Sequence, residues 1–337
     1  MRPAPSQPRA RRAAPAVAFA LCSLALLVAV GLGVAFGSGS AGLADAFAGG
    51  TRAHEIIVGV RLPRVLLGAI AGAGLAAVGA SFQSVMRNPL ADTYTLGVSG
   101  GAALAATVAI AAGLGGAPVL GAAGVPAVAF VGGLGATALV WALVRRGRAG
   151  GASILLAGVV VNQVAGACIL FIEALSDPAR LQSLVWWLMG YLDVPTWSQL
   201  AFVTAYVAGG VGVLLLDAAR INLLSLGDEA AASLGVDVRA LERRALFACA
   251  AVVGAVVSVT GLVGFVGLVV PQAMRRLIGP DLRVLLPASI LSGAAMLVAC
   301  DALVRVLAPV LHTELPVGAV TALVGGPVFL VLLARRG

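Results

Sequence analysis

The sequence is a succession of apolar runs, each close to twenty residues long, separated by short polar stretches. The hydrocarbon core of a bilayer, about 30 Å thick, requires about 20 apolar residues in each crossing helix. Hydrophobic residues make up 61% of the chain and charged residues 11%, a balance that soluble domains of this size do not show. Membrane β-barrels have short alternating segments instead of long apolar runs. The pattern therefore predicts an all-α polytopic membrane protein.

Ten membrane spans are predicted, and all belong to one transmembrane domain that covers residues 16–337. They are residues 16–36, 61–85, 93–112, 119–144, 153–175, 196–216, 240–258, 261–278, 284–306 and 316–333. Residues 1–15 are basic and rich in proline, and we expect them to be disordered. A basic start before an apolar run also occurs in secretory signals, here with small residues at 44–48 as the cleavage site. The run is long and many spans follow, so we interpret it as an uncleaved first span.

Arginine placement predicts the orientation, because cytoplasmic loops carry an excess of basic residues. All 22 basic residues are arginine, and with a cytoplasmic N-terminus only five fall outside: Arg52, Arg61, Arg64, Arg180 and Arg305. We therefore expect a multi-pass protein of the cytoplasmic (inner) membrane, with both termini in the cytoplasm. Residues 176–197 carry Trp186, Trp187, Tyr191 and Trp197, which suit an outer helix at the lipid–water interface or, as an alternative, stacking on a substrate.

The absence of lysine excludes several functions. A P-loop needs its lysine on the phosphates, and Schiff-base chemistry also needs a lysine amine. If transport uses ATP, another chain must bind the ATP and its Mg²⁺. The 4 cysteines and 2 histidines show no metal-ligand or redox spacing, so we expect no metal site and no bound cofactor in this chain.

The polar stretch from Asn222 to Val236 interrupts the apolar pattern on the inner side. Asp228 and Glu229 suit the first turn of a helix, and Gly235 suits its end, so we predict two short helices joined by a turn. From the local pattern alone, this stretch is either a solvated connecting loop or a docking element for a cytoplasmic partner.

Proline residues interrupt the apolar pattern at corresponding places in two weakly similar halves, which begin near Arg61 and Arg243. Pro89 and Pro271 are expected to break helices on the inner side. Broken helices at membrane depth are tolerated where they line a cavity or are buried in protein, and paired halves of this kind are common in transporters. The pattern is typical of a gated pathway.

The polar islands closely resemble those of the FecCD-type permeases, the membrane subunits of type II ABC importers for siderophore-bound iron, haem and cobalamin. The matching segments are RLPR, RNPLAD with TLGVSGGA, INLLSLGDEAAASLGV, GFVGLVVP and ELPVGAVTALVGGPVFL, which lie in order between Arg61 and Leu330. The resemblance implies the type II permease fold, with about ten helices and two loosely related halves. It implies a transport subunit rather than an enzyme.

The resemblance also implies the partners. They are a second permease, identical or homologous, with the path at the dimer interface, two cytoplasmic ATPase subunits, and an extracytoplasmic substrate-binding protein. The lipid bilayer surrounds the protein, and no nucleic-acid partner is expected.

The resemblance further implies three groups of site residues, none of them catalytic and none a metal ligand. Coupling to the ATPase falls in segment 218–240, at Ser225, Leu226, Gly227, Asp228, Glu229, Ala230, Leu234 and Gly235. The inner gate comprises Asn88, Pro89, Leu90, Pro271 and Gln272. Arg61, Arg64 and Arg305 face the binding protein. Gln272 replaces the family's usual histidine and Thr93 a frequent proline, which leaves open any protonation role and the detail of the inner gate.

An ion-coupled secondary transporter is the alternative function. Such proteins place ionisable residues within their spans, whereas here the spans are nearly free of acids, with Glu173 and Asp301 near predicted ends. A membrane-embedded enzyme would need a polar cluster facing a cavity, and the sequence shows none. The sequence leaves open which chelate is carried and whether the paired permease is identical.

Overall fold

The structure is a computed structural model that describes residues 15–36, 52–114, 124–145 and 151–334. These residues form a helical bundle. The helices are α1 (Pro15–Ala35), α2 (Arg52–Ile56), α3 (Leu62–Val85), α4 (Val98–Ala111), α5 (Gly124–Arg145), α6 (Gly151–Leu175), α7 (Pro178–Met189), α8 (Trp197–Leu224), α9 (Asp228–Ser233), α10 (Val238–Thr260), α11 (Val266–Ile278), α12 (Leu282–Leu311) and α13 (Val317–Ala334). The predicted disordered segment lies outside the described residues except for Pro15, and so do residues 44–48.

Eight helices in the described ranges are long and apolar enough to cross a membrane. The two remaining predicted spans are shorter than expected. Helix α4 has 14 residues and α11 has 13, so each is only about 20 Å long at a rise of 1.5 Å per residue. Each begins after a residue with positive φ, Gly97 at 81° and Phe265 at 68°. The third and eighth predicted spans are therefore half-helices that follow a break, at corresponding places in the two halves.

The second span begins earlier than predicted. It runs from Ala53 to Val85 through a π-helical turn at Ile57–Arg61, and Pro63 lies at the start of α3. A π-bulge accommodates a proline because the carbonyl one turn earlier has no N–H partner to accept from. Arg61 and Arg64 therefore lie inside a continuous helical segment, and the expectation that they start the span is wrong.

The central polar stretch also differs from its prediction. Helix α8 continues to Leu224, and only one short helix, α9, follows before α10 begins at Val238. The expected helix stop at Gly235 is confirmed, because Gly235 has a φ of 83° and its N–H donates to Ala232 O at 2.9 Å. On the opposite side, residues 178–189 form the helix α7 that the aromatic segment predicts.

Helix α3 lies at the centre of the fold and packs against α8, α10, α11 and α12. Small residues on α3 allow the close approach, as is common between membrane helices. A Cβ atom added at Gly79 would lie 1.8 Å from the carbonyl oxygen of Gly267 in α11, and one at Gly72 would lie 2.2 Å from that of Gly293 in α12. We call the end of the bundle with Arg87 and α9 the inner end, and the end with Arg64 and Glu314 the outer end.

We expect Gly79→Ala to destabilise the protein by about 1–3 kcal/mol, because the added methyl group forces α3 and α11 apart. The matched control is Gly209→Ala in α8, where an added Cβ meets nothing within 4 Å. The measurement is the midpoint of thermal unfolding in detergent, which should fall for Gly79→Ala and stay within a degree or two for the control. Equal midpoints would contradict the close α3–α11 packing.

Candidate functional site

Helix α9 projects from the inner end of the bundle as a small, mostly exposed element. Within it only Ala231 is buried, whereas Asp228 and Glu229 are exposed. Leu226 and Leu234, on either side of α9, are 61% and 59% exposed. Gly227 and Gly235 both have positive φ, which lets the chain turn sharply at each end of the helix. Exposed apolar residues beside two acids, on a rigid turn, form a surface suited to a protein partner.

Asp228 links α9 to the loop that follows α3. Its carboxylate accepts a charge-assisted hydrogen bond from the guanidinium of Arg87. Arg87 is one of three non-glycine residues with positive φ in the described ranges, with a φ of 50°. The first predicted coupling acid and the residue that precedes the predicted gate are thus in direct contact.

Two further polar residues, Asn222 and Asp217, hold the inner end together. Asn222, at the end of α8, donates to Asp281 Oδ1 at 2.7 Å and accepts from the backbone N–H of Leu282 at 3.0 Å. The buried carboxylate of Asp217 pairs with Arg220 at 3.1 Å and with Arg244 of α10 at 2.9 Å. The element that carries α9 is therefore tied to both α10 and α12.

The predicted inner-gate residues form a compact turn against α11. Asn88 Oδ1 accepts from the N–H of Leu90 at 2.9 Å, and the Leu90 side chain is exposed. The carbonyl oxygen of Pro89 accepts from the side-chain amide of Gln272 at 2.7 Å. Pro271 lies inside α11, next to Gln272. The structure thus brings together all five predicted gate residues, which come from two distant segments.

A cavity of about 700 Å³ at the inner end joins the gate and the coupling region. Its lining includes Pro89 from the gate loop, Ser225 and Asn222 beside α9, and Gln83 and Arg275 from α3 and α11. The cavity thus lies between the end of α8, which leads into α9, and the gate loop.

The outer arginines occupy a buried ion-pair cluster. Asp301 of α12 is 1% exposed, and its carboxylate lies 3.0 Å from Arg64 Nε and 2.9 Å from Arg305 Nη2. Arg64 also lies 3.5 Å from Glu314, and its guanidinium lies over the ring of Tyr191. The Arg64–Asp301 pair joins α3 to α12, whereas the Arg305–Asp301 pair lies within α12.

Arg61 and Arg305 also cap the end of α1. Arg61 donates to the carbonyl oxygens of Val34 and Ala35, and Arg305 donates to those of Gly33 and Phe36, all within 3.1 Å. The last carbonyls of a helix lack internal partners, so cationic donors satisfy them well. This contact fixes the first helix against the rest of the bundle.

The three outer arginines are not surface groups in this subunit. Arg61, Arg64 and Arg305 are only 2%, 8% and 7% exposed. Their guanidinium groups are largely shielded from water, because the carbonyl end of α1 and a carboxylate inside the bundle already bind them. Their contact with a binding protein stays a prediction.

Tyr191 and Glu314 border this cluster, and Tyr191 also lines an outer cavity of about 440 Å³. The Tyr191 hydroxyl donates to Glu314, and Trp186, Trp187 and Asp193 also line the cavity. Burial, followed by the interaction with Glu314, raises the pKa of Tyr191 to about 12, which extends into the alkaline range the pH interval over which this phenol can donate. The aromatic residues thus form a cavity wall rather than only a flat surface band.

Several residues that organise these sites were missed or placed differently by the sequence analysis. Gln83 was not selected, although a glutamine in an apolar span is itself a signal of an internal partner. Asp301 was noted only as an acid near a span end, yet it is the centre of the arginine cluster. Among the described residues no group of three or more His, Cys, Asp and Glu side chains could hold a metal ion.

Comparison with known proteins identifies the family. The model of the FecCD transport family matches residues 21–335. The chain belongs to the FecCD transport family. It is 41% identical over 282 residues to the hemin transport system permease protein of Yersinia pestis, with 84% of each chain covered. It is 43% identical over 284 residues to the cobalamin import system permease protein of Halobacterium salinarum, covering 84% of this chain and 74% of the other.

A solved structure agrees with this assignment. The fold matches an inward-facing conformation of a metal-chelate type ABC transporter with a TM-score of 0.84 and 30% identity, covering 96% of this chain and 100% of the other. The protein is therefore a multi-pass membrane permease subunit of an ABC importer, and the ATPase is a separate subunit. This decides against the ion-coupled alternative and implies a paired permease and ATPase partners.

Proposed function

We propose that the protein forms the path by which an iron–siderophore, haem or cobalamin type chelate crosses the cytoplasmic membrane. The proposal rests on its similarity to hemin and cobalamin permeases. Both termini lie in the cytoplasm in this proposal, as the arginine distribution predicts. The complex contains two permease subunits, identical or homologous, two cytoplasmic ATPase subunits that bind ATP and Mg²⁺, and an extracytoplasmic substrate-binding protein.

One observation supports the coupling mechanism that we propose: Asp228 of α9 forms an ion pair with Arg87. In our proposal α9 and its neighbours Leu226 and Leu234 dock on the ATPase. Movement of α9 is then passed through Arg87 to the loop at Asn88–Leu90, which opens or closes the inner gate together with the Pro271 and Gln272 region. The shared inner cavity supports this assignment.

The binding protein would dock at the outer end, near the cluster of Arg61, Arg64 and Arg305. A carboxylate from that partner would have to compete with Asp301 for Arg64 and Arg305, since both are already paired. Glu314, whose side chain is 38% exposed, lies beside the same cluster. We therefore expect docking to reorganise these pairs rather than to use free cations.

The transport assay reconstitutes the permease with its ATPase in vesicles and supplies the binding protein on the outer side. We compare ferric siderophore, haem and cobalamin, each at a concentration that saturates the binding protein. We expect uptake of one class that requires ATP and is insensitive to dissipation of ion gradients. Uptake that persists without the ATPase, or that follows an ion gradient, would contradict the proposal.

A further inference from the structure

Two buried glutamines connect α3, α11 and the gate loop. Gln83 of α3 is 2% exposed and Gln272 of α11 is 4% exposed. The Gln272 amide nitrogen lies 2.9 Å from Gln83 Oε1 and 2.7 Å from the carbonyl oxygen of Pro89. The Gln83 amide nitrogen lies 3.3 Å and 3.4 Å from the carbonyl oxygens of Gly267 and Leu268. Each amide nitrogen carries two protons, so all four donor positions face an acceptor.

The proline inside α11 explains the contact that Gln83 makes. Helix α11 is continuous from Val266 to Ile278, so the expectation that Pro271 breaks a helix is wrong. Pro271 has no backbone N–H, so the carbonyl of Gly267, four residues earlier, has no helical partner at that position. The Gln83 amide donates to this carbonyl. Gly79, one turn before Gln83 on α3, allows the approach, since a Cβ there would lie 1.8 Å from the same oxygen. A side chain from a different helix thus completes the hydrogen bonding that the proline interrupts.

We propose that Gln83 and Gln272 form a hydrogen-bonded relay that holds the gate loop, residues 86–92, on α11, so that loop and helix move as one unit. The relay runs from the Gly267 carbonyl through Gln83 and Gln272 to the Pro89 carbonyl. Leaving a buried amide without a partner is costly, and separating the loop from α11 breaks the bond between Gln272 and the Pro89 carbonyl. Gln83 and Gln272 are positioning residues, and their importance for transport rests on the proposed function of this loop as the inner gate.

The test is backbone hydrogen exchange, measured by mass spectrometry on the purified permease–ATPase complex. The variants are Gln83→Met, Gln272→Met and the double variant, because methionine keeps the length of glutamine but cannot donate. We expect exchange in residues 86–92 to become about tenfold faster in Gln272→Met, the change that corresponds to losing a buried hydrogen-bond partner. The double variant should exchange no faster than Gln272→Met, because both changes interrupt one relay.

The matched control is Ser81→Ala. Ser81 is fully buried on α3, two residues from Gln83, and its hydroxyl has no hydrogen-bond partner within the described ranges. Exchange in α3 and α12 should stay unchanged in every variant, which separates positioning from general loss of stability. Gln272→His keeps a ring N–H donor and should lie nearer to wild type than Gln272→Met.

A second comparison tests whether loop and helix move together. We trap the complex with ATP, Mg²⁺ and vanadate. In wild type, exchange in residues 86–92 and in residues 264–272 should change in parallel, whereas in Gln272→Met the loop should change alone. Wild-type exchange in Gln272→Met, or a uniform rise over all helices, would overturn the relay.

If the methionine variants do not insert, Gln83→Asn decides, because its amide is one methylene too short to reach both α11 and Gln272. Wild-type exchange in Gln83→Asn would then overturn the proposal. The transport assay tests the proposed function separately. A complex in which the exchange experiments support the relay, but which takes up none of the three chelates, would refute the proposed function without contradicting the relay.

Discussion

Reversing both acids of α9, with Asp228→Arg and Glu229→Arg, is expected to abolish ATP-driven uptake while the permease remains inserted. Both side chains are exposed, so the folded subunit should lose little stability. An exposed ion pair such as Asp228–Arg87 contributes about 0–1 kcal/mol. Positive charge at a helix N-terminus costs a further 0.3–1 kcal/mol or so per residue. If the ATPase encloses α9 as we propose, losing a charge partner there costs about 2–5 kcal/mol.

The measurements are uptake in vesicles, co-purification of the ATPase and the amount of permease in the membrane. The neutral variant Asp228→Asn with Glu229→Gln is the graded control, and it should retain part of the uptake because it removes attraction without adding repulsion. A second control exchanges the pair, with Arg87→Asp and Asp228→Arg, and should restore more activity than Asp228→Arg alone. Normal transport and unchanged ATPase association in the reversed variant would contradict the assignment of α9 as the coupling element.

Removing the carboxylate at the outer end, with Asp301→Leu, is expected to destabilise the permease by about 3–5 kcal/mol. The Arg64 and Arg305 side chains are only 9% and 5% exposed, so both would be left as buried cations without their main partner. The link between α3 and α12 would be lost with them. The measurements are the midpoint of thermal unfolding in detergent and the steady-state amount in the membrane.

Asp217→Leu at the inner end is the matched control. Asp217 is also buried and also pairs with two arginines, but Arg220 and Arg244 have side chains that are 59% and 49% exposed. These arginines can turn to water when the carboxylate is removed, so we expect a clearly smaller loss of stability.

A compensating variant separates burial of charge from loss of packing. Replacing the outer cluster by apolar residues, with Arg64→Met, Asp301→Leu and Arg305→Met, should recover part of the stability lost in Asp301→Leu, because no buried guanidinium is left without its carboxylate. The recovery is incomplete because α1 loses its hydrogen bonds from Arg305 and Glu314 loses its contact with Arg64. Equal effects of Asp301→Leu and Asp217→Leu, or no recovery in the triple variant, would show that the buried pairing is not what holds α3 to α12.

The chain's local patterns determined its class. Apolar runs long enough to cross a bilayer report directly on helices in lipid, because every backbone group must be satisfied within its own segment. The same holds for the helix stop at Gly235, since a turn with positive φ is a property of a few adjacent residues. The inner-end helix α9 was recognisable because polar residues are rare in this sequence and therefore informative.

The tertiary structure decided what the polar residues do. From the sequence, Arg61, Arg64 and Arg305 were predicted to face a binding protein from the outer helix ends, where an arginine can reach water. Whether they do depends on α1 and Asp301, and the Arg64–Asp301 pair joins residues 237 positions apart in the chain. Likewise, the hydrogen bond between Gln83 and Gln272 joins residues 189 positions apart, and it forms because Gly79 lets α11 approach α3 closely. Periodicity and composition describe neighbours along the chain, whereas these contacts exist only once the helices have packed, and so no local pattern could predict them.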